Sequence, residues 1–194
     1  MNRGLERRGF GERRDRLVGA LEGRVLEIGA GTGLNVPRYR AAEQVVVVEP
    51  DATYGRRLLA RGDEASVPVE VVATRAEQLP FADESFDHAV ASLALCSMTD
   101  VDAVLGELRR VLRPGGSLVF LEHVRSPSAK RARWQDRLTP LQRRIADGCH
   151  LNRDTPAAIE RAGFDLTELE RFAMPPGHPL IKDGVQGVAH KPVR

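Results

Sequence analysis

Gly29, Gly31 and Gly33 stand at every second position after a short apolar run that carries one acid, Glu27. Glycine tolerates positive φ and puts no Cβ between the backbone and a ligand. A helix beginning just beyond such a loop presents N–H groups to negative charge. The loop therefore reads as a surface for a small, partly anionic molecule. Glu49 follows at the end of the run Val45-Val46-Val47-Val48. A carboxylate at that distance from the glycines can accept both hydroxyls of a ribose. The dinucleotide fingerprint G-x-G-x-x-G is not met, because Leu34 holds the slot of the third glycine. No Gly-Lys-Ser or Gly-Lys-Thr occurs, which excludes a Walker loop. A nucleoside ligand without a pyrophosphate fits the G-x-G-x-G spacing better.

A second set of residues could act on another molecule. His123 ends the apolar run 117–124 on the crevice side, and imidazole titrates near neutrality. It reads either as a base or acceptor-orienting group, or as a structural ring bonded to backbone. Cys96 follows another apolar run, 86–95, as a small buried residue or as a wall of the acceptor pocket. Asp147, Cys149 and His150 carry metal-ligating side chains but have no second ligand pair at fixed spacing, so no metal is expected there. They read as residues that close the pocket or cap a helix. Trp134 and Phe172 are apolar walls or core.

The elements that must position these groups alternate. Apolar runs at 25–28, 45–48, 69–73, 86–95 and 117–124 predict strands. Between them lie a short turn or helix at 37–42 and helices at 52–61 and 101–112. The last is capped by Asp100 and stopped by Arg113-Pro114-Gly115-Gly116. This rhythm predicts a parallel sheet with helices on both faces. A final helix starts at Thr155-Pro156 and ends at Gly163. Strands at 165–173 and 185–190 follow with no helix-sized segment between them, and should pair antiparallel. The expected architecture is α/β: a Rossmann-like, seven-stranded, mostly parallel sheet with one antiparallel strand at its end. The polar, Arg-rich stretch 126–147 is an insertion after a strand's carboxyl end, where it lies over the ligand crevice as a lid.

With 194 residues, the chain suits one domain, and its 42% hydrophobic and 29% charged residues are an ordinary globular balance. A net charge of +2 gives no argument for nucleic acid. No apolar stretch is long enough to span a membrane, and the N-terminus lacks a secretory-type apolar core, so a cytoplasmic setting is expected. Two cysteines make no disulfide framework. Residues 1–16 are Arg-rich. This basic arm is either loose and solvated, or a basic helix that covers the ligand or touches anionic lipid.

Leu26-Glu27-Ile28-Gly29-Ala30-Gly31-Thr32-Gly33 resembles the first motif of class I S-adenosylmethionine methyltransferases, and Val48-Glu49-Pro50 resembles the second. Arg75-Ala76-Glu77-Gln78-Leu79-Pro80-Phe81 is similar to their adenine-side loop. Asp83 to Asp87 and Leu112 to Gly116 complete an ordered set over about four-fifths of the chain. The stretches 93–98, 122–124 and 147–153, with His178 and 187–191, resemble the alkyl-thiol S-methyltransferase branch. The resemblance implies S-adenosyl-L-methionine as cofactor and S-adenosyl-L-homocysteine as product. In that reading the loop N–H groups meet the cofactor's carboxylate, Glu27 its ammonium, and Asn35 lies beside the methionine end. Glu49 and Pro50 take the ribose, Ala76 and Glu77 flank adenine, and Leu93 lines the cofactor site. His123 and Cys96 face a small-molecule acceptor, with a thiol leading. Methylation of a phospholipid amine, phenol or quinone, and a non-catalytic cofactor-binding module, stay open. The chain departs from the branch in having a basic arm where several members have an apolar anchor, and in Arg75, where many have a small or acidic residue.

Overall fold

The computed structural model describes residues 9–174 and 180–193. Residues 1–8 of the basic arm, and His178, lie outside the described residues. The elements in chain order are α1 (Gly11–Val18), β1 (Gly23–Ile28), β2 (Ala42–Val48), α2 (Ala52–Asp63), β3 (Val69–Val72), β4 (Phe86–Ser92) and α3 (Val101–Val111). They continue with β5 (Leu112–His123), α4 (Ala129–Ile145), α5 (Thr155–Arg161), β6 (Asp165–Ala173) and β7 (Asp183–His190). Two single 3₁₀ turns, Val36–Arg38 and Leu95–Ser97, lie in the connections.

The seven strands form one sheet in the order β3-β2-β1-β4-β5-β7-β6. The chain builds outward from β1 to β3, then returns to place β4 on the other side of β1. This reversal opens a crevice at the carboxyl ends of β1 and β4, where open α/β sheets bind ligands. The loop after β1 carries the three glycines, and the loop after β4 leads to Cys96. The central strands are buried on both faces, which is what their β-branched runs predict. Leu26, Ile28, Val46, Val48 and Phe120 pack under α3 and α5. Val25, Val45, Val47, Val90 and Val119 pack under α1 and α2. Asp100 caps α3 by accepting the Ala103 N–H at 3.0 Å, and Val104, Leu105, Leu108 and Val111 turn inward. Pro156 lies in the first turn of α5, and Gly163 follows that helix at φ +83°.

Four expectations are adjusted. The antiparallel strand, β7, is not at the end of the sheet but one place in, between β5 and β6. The reason is side-chain chemistry. Val185 and Ala189 of β7 are fully buried, whereas β6 carries exposed Glu168, Glu170 and Arg171, which suit an edge. β4 stops at Ser92 rather than 95, because Leu93 turns to φ +54°. The turn 113–116 becomes a bulge inside a longer β5: Phe86 pairs with Leu112, but His88 pairs with Ser117. The basic arm is packed from Phe10 onward, with Phe10 1% and Arg14 6% exposed, so its described part is a docked helix rather than a solvated tail.

Helix α4 occupies the expected lid insertion with an inverted polarity. Ala132, Gln135 and Thr139 face inward, while Trp134, Leu141 and Ile145 are exposed. Trp134 is therefore no wall of an acceptor pocket. Gln135 anchors the helix, accepting from Ser126 N and donating to Leu180 O. Phe172 packs edge-on against Phe10 beneath the guanidinium of Arg13. No helix of the described residues is long and apolar enough to cross a membrane.

Candidate cofactor and acceptor site

Gly29, Gly31 and Gly33 all have positive φ, +59°, +54° and +74°. Two of them are glycine for packing. A Cβ at Gly29 would sit 2.9 Å from Ala94 Cβ, and one at Gly33 would sit 2.7 Å from Leu58 Cδ1. Around Gly31 the space is open, with nothing within 4 Å, so this is the glycine past which a ligand can lie.

Glu49 stands beside that opening. Its carboxylate accepts from Gly31 N at 2.7 Å and from Asp51 N at 3.0 Å. The N–H groups of Gly29 and Gly33 are committed to Val48 O and Ala30 O. The three glycine N–H groups of the loop are thus engaged inside the protein. A buried cation lies nearby. Arg14, from α1, donates to Asn35 Oδ1 at 2.7 Å and to Ser92 Oγ at 2.8 Å. Asn35 donates in turn to Glu27 at 2.9 Å, and Tyr39 OH donates to Glu27 at 2.7 Å. Burial raises the Glu27 carboxyl above its ordinary range, against the pull of Tyr39, Arg14 and Asn35. The basic helix is thus wired into the floor of the crevice. Sequence reasoning missed both Arg14 and Tyr39. Phe10, Arg14, Leu17 and Val18 share one helical face, a periodicity that marks Arg14 as inward-facing.

On the adenine side, Ala76 is buried in the core, Pro50 is exposed, and Glu77 is half-buried with Arg75 at 3.5 Å. Leu93 is held by its N–H to Leu121 O at 2.7 Å and packs beside Phe10, Leu121 and Met174.

The acceptor-side residues converge. His123 Nε2 lies 3.0 Å from Cys149 Sγ, and the ligating atoms of Cys96, His123 and Cys149 all lie within 4.8 Å of one another. All three residues are buried, and neither cysteine is in a disulfide. His123 Nδ1 is buried with no hydrogen-bond partner among the described residues, so the ring is not a structural one tied to backbone. The hydrogen bond from Cys96, then that with His123, pulls the Cys149 thiol down. The same bond and burial push Cys96 up.

This cluster is rigidly mounted. The Glu122 carboxylate, buried in the strand next to His123, accepts the N–H groups of Ala94 and Leu95 at 2.9 Å each and of Cys96 at 3.3 Å. His150 N donates to Cys96 O at 2.8 Å, and Arg153 donates to Leu95 O and Met98 O. Glu122 and Arg153 are positioning residues that only the fold reveals. Asp147 is not in the cluster; its carboxylate accepts from Tyr54 OH at 3.4 Å, across from α2. His150 turns its ring to Cys96 O and Arg153.

Residues 26–120 match the family model described as "Methyltransferase domain". The chain is 34% identical over 171 residues to the thiol S-methyltransferase TMT1A of Homo sapiens, covering 86% of this chain and 70% of that one. The chain belongs to the S-adenosylmethionine-dependent methyltransferases. It is also 39% identical over 150 residues to thiol S-methyltransferase TMT1B of Rattus norvegicus, covering 75% of this methyltransferase but 62% of the relative's length. A phosphatidylethanolamine N-methyltransferase of Cereibacter sphaeroides is 33% identical over 168 residues, covering 82% of this chain and 78% of that one. Among solved structures, the N-methyltransferase NodS from Bradyrhizobium japonicum superposes with a TM-score of 0.69 at 18% identity, over 98% of each chain. That likeness speaks for the fold alone. The residues present fit S-adenosylmethionine: the space beside Gly31 is open, the Glu49 carboxylate is bonded to Gly31 N, and the buried Arg14–Asn35–Glu27 network offers both signs of charge.

Proposed function

We propose that this methyltransferase transfers a methyl group from S-adenosylmethionine to a small thiol. The observation that carries the reading is the buried Cys96–His123–Cys149 cluster, whose Cys96 lies on the turn just after Ala94, the residue packed against Gly29. Transfer from a sulfonium is an in-line displacement, in which holding the nucleophile at near-attack distance supplies much of the rate. A thiol has to lose only a weakly held proton, so a compact basic cluster in a water-poor wall is enough. The relatives named thiol S-methyltransferase support the same acceptor class. Glu49 and Pro50 bind the ribose, Ala76 and Glu77 the adenine, and Glu27, Asn35 and Arg14 the methionine end. His123 and Cys96 stand at the acceptor's sulfur. The test is a turnover assay with a panel of thiols, amines and phenols. Methylation of thiols alone supports the proposal, and methylation of amines or phenols with no thiol turnover refutes it.

A second reading is methylation of a phospholipid amine. It is favoured by the named phosphatidylethanolamine relative and by α4, which exposes Trp134, Leu141 and Ile145 among Lys130, Arg133, Arg137 and Arg144. Such a face suits an anionic lipid surface. Phosphatidylethanolamine vesicles in the same panel separate the two.

A further inference from the structure

We propose that Cys96, His123 and Cys149 form a zinc site with one open coordination position, and that the acceptor thiol binds there as the fourth ligand. The fourth-ligand part rests on the thiol reading above; the metal site itself does not. The linear sequence offers no paired ligands at fixed spacing, but the fold supplies the set from three segments: the turn after β4, the last residue of β5 and the loop after α4. Two sulfurs and one imidazole are the donors that soft or borderline metals select, and zinc takes them readily. Three protein ligands with one open place is the arrangement of catalytic rather than structural zinc.

The geometry is close to that need. Tetrahedral zinc with Zn–S of about 2.3 Å and Zn–N of about 2.0–2.1 Å separates its ligand atoms by roughly 3.5–3.8 Å. The present atoms span from 3.0 Å, between His123 Nε2 and Cys149 Sγ, up to at most 4.8 Å. Shifts of about 1 Å or less would bring all three to one ion. The backbone carrying Cys96 is already fixed by Glu122, and its carbonyl by His150 N, so binding costs little ordering.

The site also lies where the chemistry needs it. Ala94, two residues before Cys96, is the residue a Cβ at Gly29 would strike, so the cluster borders the cofactor crevice. The acceptor R–SH binds zinc as thiolate and its proton passes to solvent. The thiolate's electron pair forms the new S–CH₃ bond. The bond from that carbon to the cofactor's sulfonium sulfur breaks, and its electron pair stays on that sulfur. The products are the thioether and S-adenosylhomocysteine. A thioether is a weak zinc ligand and leaves. Two cysteine thiolates balance the zinc charge, so the bound acceptor thiolate keeps its negative charge and nucleophilicity.

The experiment has a readout independent of turnover. The full chain is loaded with zinc, passed through gel filtration and analysed for metal. About one zinc per chain is expected, with Cys149→Ser lowering affinity more than about 100-fold, beyond the cost of losing a supporting partner. Unchanged S-adenosylhomocysteine binding by that variant shows that it is folded, and Cys96→Ser gives the same result by a second route. Cobalt(II) in place of zinc should give a thiolate-to-metal charge-transfer band and the intense visible bands of a tetrahedral site. Adding an acceptor thiol should shift those visible bands. No retained zinc and no cobalt bands overturn the metal site, as does a chain that forms a Cys96–Cys149 disulfide while excluding both metals. Cobalt bands that ignore every thiol, in a chain that methylates thiols, overturn the fourth-ligand role. Cobalt bands with no thiol turnover leave the metal site standing and refute the thiol reading.

Discussion

Arg14→Met removes a buried cation from the floor of the cofactor crevice. Arg14 is 6% exposed, and one of its guanidinium nitrogens donates to both Asn35 Oδ1 and Ser92 Oγ, at 2.7 and 2.8 Å. It also pulls the buried Glu27 carboxyl downward. Methionine matches the length of the stem but takes a donor from Asn35 Oδ1 and Ser92 Oγ, and a favourable charge from buried Glu27. Breaking a buried charge network by removing one member costs about 3–5 kcal/mol. A domain in the upper part of the ordinary range, about 5–15 kcal/mol, stays folded after that loss. Urea denaturation measures it.

The functional half of the same prediction uses two ligands. S-adenosylhomocysteine carries the amino-acid end, and 5′-methylthioadenosine lacks it. The Gly29, Gly31 and Gly33 N–H groups are engaged within the protein, so Arg14 is expected to meet the cofactor's carboxylate. Losing a charge-assisted hydrogen bond of about 1.5–3 kcal/mol should weaken S-adenosylhomocysteine by roughly 10–150-fold. Methylthioadenosine should bind both proteins alike. Calorimetry on the folded variant decides it. An equal loss for both ligands, or for neither, refutes the assignment of Arg14 to the carboxylate.

Gly31→Val should abolish binding of S-adenosylmethionine and S-adenosylhomocysteine, because the side chain fills the open face at φ +54°; full affinity in a folded variant would remove the ligand from that face. Glu49→Ala should weaken cofactor binding by about 1.5–3 kcal/mol in calorimetry, and an unchanged affinity would mean that the ribose is held elsewhere. Hydrogen exchange in Gly11–Val18 and Ala129–Ile145 should slow when cofactor product and acceptor are bound; equal exchange with and without ligands would make them ordinary surface helices. The hydrogen bond from Arg110 holds Glu107 below the ordinary carboxylate range, and Glu107 also accepts Leu79 N. A depressed folded pKa gives stability present above the unfolded value and lost as pH falls through the folded one. Glu107→Gln should therefore lower the urea midpoint at neutral pH and converge with wild type in acid, and a constant difference at all pH values would count against the ion pair.

The sheet was legible because its evidence is local. Four successive valines can only be buried on both faces, and the helix over 101–111 carries its own cap, its apolar stripe and its terminator. The cofactor half of the site was legible for a similar reason, since Gly29 to Gly33 and Glu49 sit on neighbouring strand ends. What failed locally failed for a physical cause. Ser92 ends β4 because Glu122, a residue of the next strand, captures three successive N–H groups of the turn beyond it. The order of β6 and β7 depended on which strand could bear an exposed edge, which alternation within one strand does not report.

The acceptor half was illegible because its residues share nothing in sequence. Cys149 read as one of three neighbours, with Asp147 and His150, and the fold separates those three. Gly148, at φ +77°, turns the chain between them. Asp147 is sent toward Tyr54, His150 toward Cys96 O and Arg153, and Cys149 alone toward His123. The adjacency that suggested a cluster was the wrong one. The cluster that forms draws one residue from each of three chain segments that meet only at the carboxyl ends of β4 and β5. Burial of all three there is costly unless their polar atoms are paired or ligated. His123 Nδ1 has no hydrogen-bond partner among the described residues. The protein's own groups therefore leave this site incompletely satisfied. In the proposed site an ion would take the Cys96 and Cys149 sulfurs and His123 Nε2, while Nδ1 would still need a water or a group of the acceptor to receive its proton.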